Sequence, residues 1–262
     1  MLKRVLTSII GIPLLIFILS LGGIPLLISL IIVASIGLYE LYKTYKIIND
    51  GHIIIEIIMG TGLLIIMAKY PDLILPYLII IFIFHFIYQM LTKKPSFEKA
   101  LLAYSGIIYV TLLLGHILLF RNIPNGSYLV WLVFIIAWST DTFAYFTGIN
   151  FGKHKLSPTI SPKKSIEGSI GGVIGSLLSC TIYGLYLYKF HNIHIPLLNY
   201  IILGVIGSLI AQFGDLTASL IKRNFDVKDF GNIFPGHGGI LDRFDSILFT
   251  APIVYYYIII FT

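Results

Sequence analysis

Long apolar stretches recur from one end of this chain to the other, and they limit what it can fold into. Each runs for roughly 16 to 22 residues, the length that an α-helix needs to cross the hydrocarbon core of a membrane. Of the 262 residues, 57% are hydrophobic and only 11% are charged, whereas about 25% are charged in soluble domains. The pattern predicts an all-α, polytopic membrane protein.

Turn-forming residues such as Gly22-Gly23 divide the apolar sequence into nine candidate transmembrane helices. These are predicted at Val5–Leu21, Ile24–Leu41, Ile53–Ala68, Asp72–Met90, Ala100–Phe120, Tyr128–Thr147, Gly168–Tyr188, Leu197–Ile221 and Ser246–Phe261. The first stretch follows Lys3 and Arg4 as a signal peptide would. No small-residue cleavage site follows it, so we expect it to be retained as a helix.

Lys and Arg residues are unevenly distributed between the loops on the two sides. With a cytoplasmic N-terminus, nine crossings place fifteen of the eighteen in cytoplasmic segments and leave Lys69, Arg121 and Lys189 outside. This excess agrees with the positive-inside rule. We therefore expect a multi-pass protein of the cell (cytoplasmic) membrane with its C-terminus outside. The net charge of +6 then fits anionic lipid headgroups, and no nucleic-acid partner is expected.

Polarity divides the chain into two predicted regions. Residues 1–127 contain the N-terminal helices, which we expect to act as a scaffold and a lipid-facing wall. We expect His85 to bond to a neighbouring helix backbone, and Glu40 and Glu56 to lie at membrane boundaries facing headgroups. Residues 128–262 form the predicted catalytic region, whose cytoplasmic loops span residues 148–167 and 222–245.

The stretch from residue 215 to residue 245 is the most polar part of the chain. It holds five of the twelve carboxylates, four Lys and Arg residues, and glycines around His237. Fixed carboxylates beside fixed cations suit a polyphosphate carried on a divalent metal. Gly238 and Gly239 allow the backbone to approach a phosphate closely. We therefore expect the chemistry of the protein here.

Three aspartates of this stretch are candidate metal ligands at two helix ends. Asp215 lies near the end of the eighth predicted span, and Ser219 and Lys222 share its helix face. Asp242 and Asp245, spaced i, i+3, share a face at the start of the ninth span. Such carboxylates can hold a Mg²⁺ that takes its other ligands from water and phosphate. Whether a second cation joins the Mg²⁺ stays open.

A second group of candidates lies in the sixth span and the loop after it. Asp141 is an ionisable residue inside a membrane helix, with Ser139 in the same turn. Such a residue marks a substrate site or an interhelical hydrogen bond. Lys164 and Ser165 precede a glycine-rich helix whose N-terminus can bind an anion. Glu167 either joins that site or is a plain helix-start carboxylate.

The polar stretch also matches the pattern of a known family. The matching residues are Ser219-x-Ile-Lys222-Arg223, then Lys228-Asp229-x-Gly231, then Phe-Pro235-x-His237-Gly238-Gly239-Ile-x-Asp242-Arg243-Phe-Asp245. They resemble the signature of the phosphatidate cytidylyltransferases, also called CDP-diacylglycerol synthases. The Asp141 span, residues 161–168 and Gln212-x-Gly-Asp215 also look like this family, so the resemblance is strong over residues 137–246.

The resemblance implies an all-helical membrane enzyme that acts as a homodimer. It would convert CTP and phosphatidate to CDP-diacylglycerol and pyrophosphate with Mg²⁺ at the cytoplasmic face, using Asp215, Asp242 and Asp245 for the metal. In that reaction Asp229 would orient a cation or bind the nucleotide, and His237 would donate a hydrogen bond to a phosphate. The cations that would bind phosphates are Lys222, Arg223, Lys228 and Arg243.

Three other functions fit parts of the pattern. A CTP-dependent lipid kinase would attack the γ-phosphorus and release CDP, and an archaeal-type synthase would activate an ether-lipid phosphate. A transporter would use Asp141 and Asp215 as coupling sites, but it predicts broken helices in two matching halves. Here the polarity is concentrated in the C-terminal half, which favours the enzyme.

Overall fold

The computed structural model describes residues 2–46, 50–233 and 238–262, and these are mainly helical. The helices are α1 (Leu2–Leu21), α2 (Gly23–Tyr45), α3 (Asp50–Lys69), α4 (Ile74–Met90), α5 (Phe97–Gly106), α6 (Leu113–Leu119), α7 (Gly126–Leu129), α8 (Trp131–Phe151), α9 (Ile166–His191), α10 (Leu197–Asn224) and α11 (Leu241–Phe261). A π-helical stretch, Ile107–Leu112, joins α5 to α6. Strands β1 (Lys155–Ser157) and β2 (Ser161–Ser165) pair antiparallel as a hairpin between α8 and α9.

The predicted polytopic all-α fold is confirmed. In the described part of the chain, eight helical stretches are long and apolar enough to cross a membrane. They are Gly23–Tyr45, His52–Lys69, Pro71–Met90, Phe97–Asn122, Gly126–Phe151, Ile166–His191, Leu197–Asn224 and Leu241–Phe261. Helix α1 covers the first predicted span with 20 residues. Each of the nine predicted spans therefore coincides with helical structure.

The two predicted cytoplasmic loops are shorter than expected. Helix α8 continues to Phe151, and α10 continues to Asn224, so Lys222 and Arg223 belong to its last turn. Helix α11 begins at Leu241, several residues before the predicted start. At α10 and α11 the reason is that polar residues at the span end extend the helix into the interface, where their side chains reach water.

The chain packs as two compact units. The first comprises the described residues of Met1–Arg121 and Phe225–Arg243, and the second comprises Asn122–Asn224 and Phe244–Thr262. Residues 225–243, which the sequence groups with the C-terminal region, therefore pack with the N-terminal helices. The reason is specific contact with α2, because the ring of Tyr45 packs on Phe225 at a centroid distance of 5.0 Å.

A buried polar cluster joins α3 and α4 in the first unit. The fully buried carboxyl of Glu56 lies 3.0 Å from Nε2 of His52 and 2.9 Å from Nε2 of His85. His85 Nδ1 donates to the carbonyl of Ile81, 2.7 Å away on its own helix. Two expectations were therefore wrong, because Glu56 faces histidines instead of headgroups and His85 bonds to its own helix backbone. Pairing keeps these polar groups satisfied inside the bundle.

Glycine packing brings α8 and α9 together in the second unit. A Cβ on Gly172 would lie 3.0 Å from the carbonyl oxygen of Thr140, and one on Gly168 would lie 2.8 Å from that of Ala144. Close backbone approach at small residues is the usual way in which membrane helices associate. The result is a fixed arrangement of the α8 face that carries Asp141 beside the first turn of α9.

Candidate functional site

A cavity of about 420 Å³ opens in the second unit among α8, the β-hairpin, α9 and α10. Its walls combine apolar residues with cations, carboxylates and hydroxyls. The polar residues that line it are Asp141, Tyr145, Lys163, Lys164, Ser165, Ser169, Gln212 and Asp215. The structure thus brings together four predicted site residues, namely Asp141, Lys164, Ser165 and Asp215. A cavity of this size and polarity is typical of a small-molecule site.

An ion pair crosses this cavity. Lys164, near the end of β2, places its Nζ 2.5 Å from Oδ2 of Asp215 on α10, and both side chains are about a quarter exposed. The register of the hairpin, in which Lys155 pairs with Ser165, sets the position of Lys164. The ammonium of Lys164 therefore pairs with the carboxylate of Asp215, which the sequence predicts to bind a metal ion.

Three carboxyl groups of the second unit influence one another. Asp245, half-buried in α11, interacts electrostatically with Asp215, Asp141 and the cation of Lys222. Ser246 Oγ lies 3.5 Å from both carboxylate oxygens of Asp141. Like charges that interact in this way repel unless a cation or a proton is present. The three carboxyl groups together therefore suit a cation.

The geometry fits Mg²⁺ only in part. Mg²⁺ is usually bound by one or two protein carboxylates, with water and substrate phosphate completing its shell. Asp215 and Asp245 supply oxygens of this kind. In the described part of the chain, no group of three or more His, Cys, Asp or Glu side chains is arranged to hold a metal ion by itself. A metal at this site would thus need oxygens from its substrate.

Asp242, the third predicted metal ligand, lies in the first unit and organises the backbone there. Its Oδ2 accepts hydrogen bonds from the amides of Phe230 and Gly239, each at 2.9 Å. These bonds fold the segment before α11 back on the first turn of that helix. A metal-binding role for Asp242 stays a prediction.

Glu40 is a residue whose structural role the sequence analysis missed. Its carboxyl is only 3% exposed, and it accepts from the amides of Ile240 (3.1 Å) and Leu241 (2.9 Å). The expectation that Glu40 faces headgroups is therefore wrong. Glu40 and its partners are separated by 200 residues in the chain, so no local pattern could pair them. The available signal was an acid in an apolar span.

The glycines after His237 have different conformational needs. Gly238 has φ +78°, a backbone conformation that favours glycine. Gly239 is buried against the carboxyl of Glu40, so its close backbone approach is to a protein group. Binding of substrate by either glycine stays a prediction. His237 lies outside the described residues.

Several predicted residues have protein partners outside the cavity. Ser139 Oγ donates to the carbonyl of Ile135 at 2.5 Å, the usual bond of a serine within a helix, and Ser139 is absent from the cavity walls. Glu167 accepts from the amides of Lys153 (3.1 Å) and His154 (3.2 Å). These bonds favour a structural role for Glu167 at the start of α9.

The remaining predicted residues lie at helix ends or in the segment between α10 and α11. Ser219 is partly buried one turn after Asp215, and Lys222 is partly buried in the last turn of α10. The exposed residues of this set are Arg223, Lys228, Asp229 and Arg243. Their predicted roles as phosphate and nucleotide contacts stay predictions.

Four of the polar cavity residues were not chosen as site residues from the sequence, and two of them, Ser169 and Gln212, bond to each other. Ser169 Oγ donates to Oε1 of Gln212 at 2.5 Å, and Gln212 Nε2 donates to the backbone carbonyl of Ser169 at 3.3 Å. The pair ties α9 to α10 beside Asp215. Spacing along the chain does not reveal such a pair, because its members are 43 residues apart.

Comparison with known proteins agrees with the resemblance seen in the sequence. The Cytidylyltransferase family matches residues 2–261. A phosphatidate cytidylyltransferase of Bacillus subtilis (strain 168) is 33% identical over 268 residues, covering 99% of this chain and 98% of that protein. Proteins of the same name from Staphylococcus saprophyticus and Staphylococcus aureus (strain COL) are 38% and 39% identical, with 96% of each chain covered.

Proposed function

This chain belongs to the cytidylyltransferase family, and from that premise we propose that it transfers a cytidylyl group from CTP to phosphatidate. The products are CDP-diacylglycerol and pyrophosphate. The observation that carries the proposal is the match to proteins named phosphatidate cytidylyltransferase over nearly the full length of both chains. The cavity of the second unit supports it, because it combines cations and carboxylates as a metal-bound polyphosphate requires.

The chemistry needs charge neutralisation more than it needs a base. An oxygen of the phosphatidate phosphate, already ionised at neutral pH, attacks the α-phosphorus of CTP. The bond from that phosphorus to the bridging oxygen breaks, and its electron pair leaves with pyrophosphate. Since two anions must meet, positioning and electrostatic stabilisation supply most of the rate enhancement.

We assign the cofactor Mg²⁺ to Asp215 and Asp245, and Asp242 stays a predicted metal ligand. When bound, Mg²⁺ would neutralise phosphate charge at the reacting centre. Lys164 now pairs with Asp215, and we expect it to turn to a substrate phosphate when a metal takes that carboxylate. Asp141 lines the same cavity, where its negative charge would help to attract the metal.

The cations of the chain bind and orient the phosphates in this proposal. The first turn of α9, with Ser165 as its N-cap, directs backbone amides at the phosphate of the lipid. The residues proposed to bind the triphosphate and the leaving pyrophosphate are Lys222, Arg223, Lys228 and Arg243. His237 donates a hydrogen bond to one of these oxygens, and Asp229 orients a cation.

The topology proposed from the charge distribution places this reaction in the cytoplasm, where CTP is available. In it the N-terminus is cytoplasmic, and the segments between α8 and α9 and between α10 and α11 face the same side. We propose the cell membrane as the location and a homodimer as the working form.

Cysteine accessibility in intact cells tests the orientation. In a Lys153→Cys variant, the introduced thiol should react with a membrane-permeant reagent and not with an impermeant one.

The direct test follows the label of CTP carrying ³²P at the α-phosphorus. Purified protein in detergent with phosphatidate and Mg²⁺ should move the label into the organic phase, with an equal amount of pyrophosphate released. Label that remains aqueous as CDP would instead identify a CTP-dependent kinase. If CTP is unchanged in every condition, cytidylyl transfer is wrong for this chain.

A further inference from the structure

The carboxyl of Glu40, near the C-terminal end of α2, contacts the backbone at the first turn of α11. It accepts from the backbone amides of Ile240 and Leu241 at 3.1 and 2.9 Å. The group is 3% exposed. Both bonds lie within the first unit, where residues 225–243 pack with the N-terminal helices.

Chemically, Glu40 acts as a helix cap supplied by another helix. The first amides of an α-helix have no partner within it, and an acceptor must satisfy them when they are buried. A carboxylate is the strongest acceptor for this purpose, because it also interacts with the positive end of the helix dipole. Asp242 accepts from the neighbouring amide of Gly239. Three successive amides, from Gly239 to Leu241, are therefore held by two carboxylates.

Two glycines of the signature make room for Glu40. A Cβ on Gly231 or on Gly239 would overlap the carboxylate oxygens of Glu40. Neither residue has a positive φ, in contrast to Gly238. The requirement for glycine at these two positions is therefore steric. The signature segment and the Glu40 side chain are shaped to fit each other.

We propose that Glu40 is a positioning residue, which fixes the first turn of α11 and with it Asp242 and Arg243. The inference rests on the proposed function, because it assigns those two residues to phosphate and metal binding. Glu40 itself touches no substrate. It acts through the backbone of residues 239–241, in a region that the sequence analysis treats as a passive wall.

The first test replaces Glu40 with Gln, which keeps the shape but can offer only one acceptor oxygen to two amides. Hydrogen exchange measured by mass spectrometry should become at least about tenfold faster for residues 238–243, while peptides of α9 stay unchanged. In cytidylyl transfer, kcat/KM for CTP should fall about 100-fold, as a displacement of about 1 Å at a site can cause. Glu98→Gln, the same change at an exposed position, is the control and should alter neither quantity.

A double-variant cycle separates positioning from general stability. Gly231→Ala in the natural chain should lower kcat/KM at least tenfold, since the new Cβ meets the Glu40 carboxyl. In a Glu40→Ala background the same substitution should have little further effect, because the obstacle is gone. Losses that simply multiply would overturn the inference. If the Glu40 variants fold poorly, Gly231→Ala in the natural chain still tests the inference, because it displaces the Glu40 carboxyl without removing it.

The two proposals can fail separately. Hydrogen exchange of residues 238–243 does not depend on the reaction, so protection lost in Glu40→Gln supports the inference even if no cytidylyl transfer occurs. An active protein in which Glu40→Gln leaves exchange and kinetics unchanged would refute the inference and leave the proposed function standing.

Discussion

The carboxylates of the two units have different partners, and the difference separates architecture from binding. In the first unit, Glu40 and Asp242 accept from backbone amides, and Glu56 lies between two histidines. In the second unit, Asp215 and Asp245 lie near each other with Lys164 as a cationic partner. Backbone amides are fixed donors, whereas a lysine side chain can move away when a stronger cation arrives.

The comparison implies opposite responses to loss of charge. Removing a carboxylate that accepts from buried donors leaves those donors without a partner, which costs stability. Removing one of several mutually repelling carboxylates relieves repulsion, so stability is kept while binding is lost. Four variants test this contrast, and they are taken in order of expected effect.

Asp215→Asn should produce the largest effect, a loss of activity of about 10³-fold, equivalent to about 4 kcal/mol in activation free energy. The asparagine side chain has no negative charge to bind a metal or to pair with Lys164. The melting temperature should stay the same or rise, since Asp245 loses a like-charged neighbour. Asp226→Asn is the matched control, because Asp226 is exposed and has φ 54°, a conformation that Asn tolerates.

Glu56→Gln should lower the free energy of unfolding by about 2 kcal/mol, because it removes a carboxyl oxygen from a buried hydrogen-bonded cluster in the first unit. The groups that lose this oxygen as a partner are Nε2 of His52 and Nε2 of His85. Thermal unfolding in detergent measures the change. The KM for CTP of the folded fraction should not change. A selective rise in that KM would mean that Glu56 serves the substrate site as well.

Lys164→Ala should lower activity about tenfold and raise the affinity for Mn²⁺ by a similar factor in the absence of CTP. Without the ammonium on Asp215, the carboxylates of the cavity attract a cation more strongly. Calorimetric titration with Mn²⁺ checks the affinity without relying on turnover. Lys155→Ala, on the exposed strand β1, provides the control. Weaker Mn²⁺ binding in Lys164→Ala would contradict the idea that lysine and metal compete.

Ser165→Ala should have the smallest effect of the four, a loss of about 1 kcal/mol of folding stability, because Ser165 Oγ caps α9 by accepting from the amide of Gly168 at 3.1 Å. Ser96→Ala removes the equivalent cap of α5, where Ser96 Oγ accepts from Lys99 at 3.2 Å. Both should lower the melting temperature similarly. Only Ser165→Ala should also raise the KM for phosphatidate, since Ser165 lines the cavity. If the KM for phosphatidate is the same in both variants, Ser165 acts only as the N-cap of α9.

The sequence predicted the helices well because the membrane imposes a length and a composition on each of them. The family prediction is confirmed, since the signature from Ser219 to Asp245 mixes rare residue types at fixed spacing. The cavity positions of Asp141, Lys164 and Asp215 followed from intramembrane charge and from the anion site at a helix start.

Contacts between distant residues escaped the sequence analysis. The bonds from Glu40 to Ile240 and Leu241, and the pair of Ser169 with Gln212, depend on how helices pack. Local spacing carries no information about these contacts. The boundaries of the loop between α10 and α11 were also missed, because polar residues at span ends continue the helix when their side chains can reach water.

The long separation between Glu40 and its partners has a consequence for biogenesis. Glu40 is synthesised 200 residues before Ile240. At about 5 to 20 residues per second, that interval lasts roughly 10 to 40 seconds. During this time Glu40 sits in an apolar helix without the amides that later satisfy it. The nascent α2 must therefore keep Glu40 at the water interface or hold a proton on it, and the signature segment is completed only when the last helix arrives.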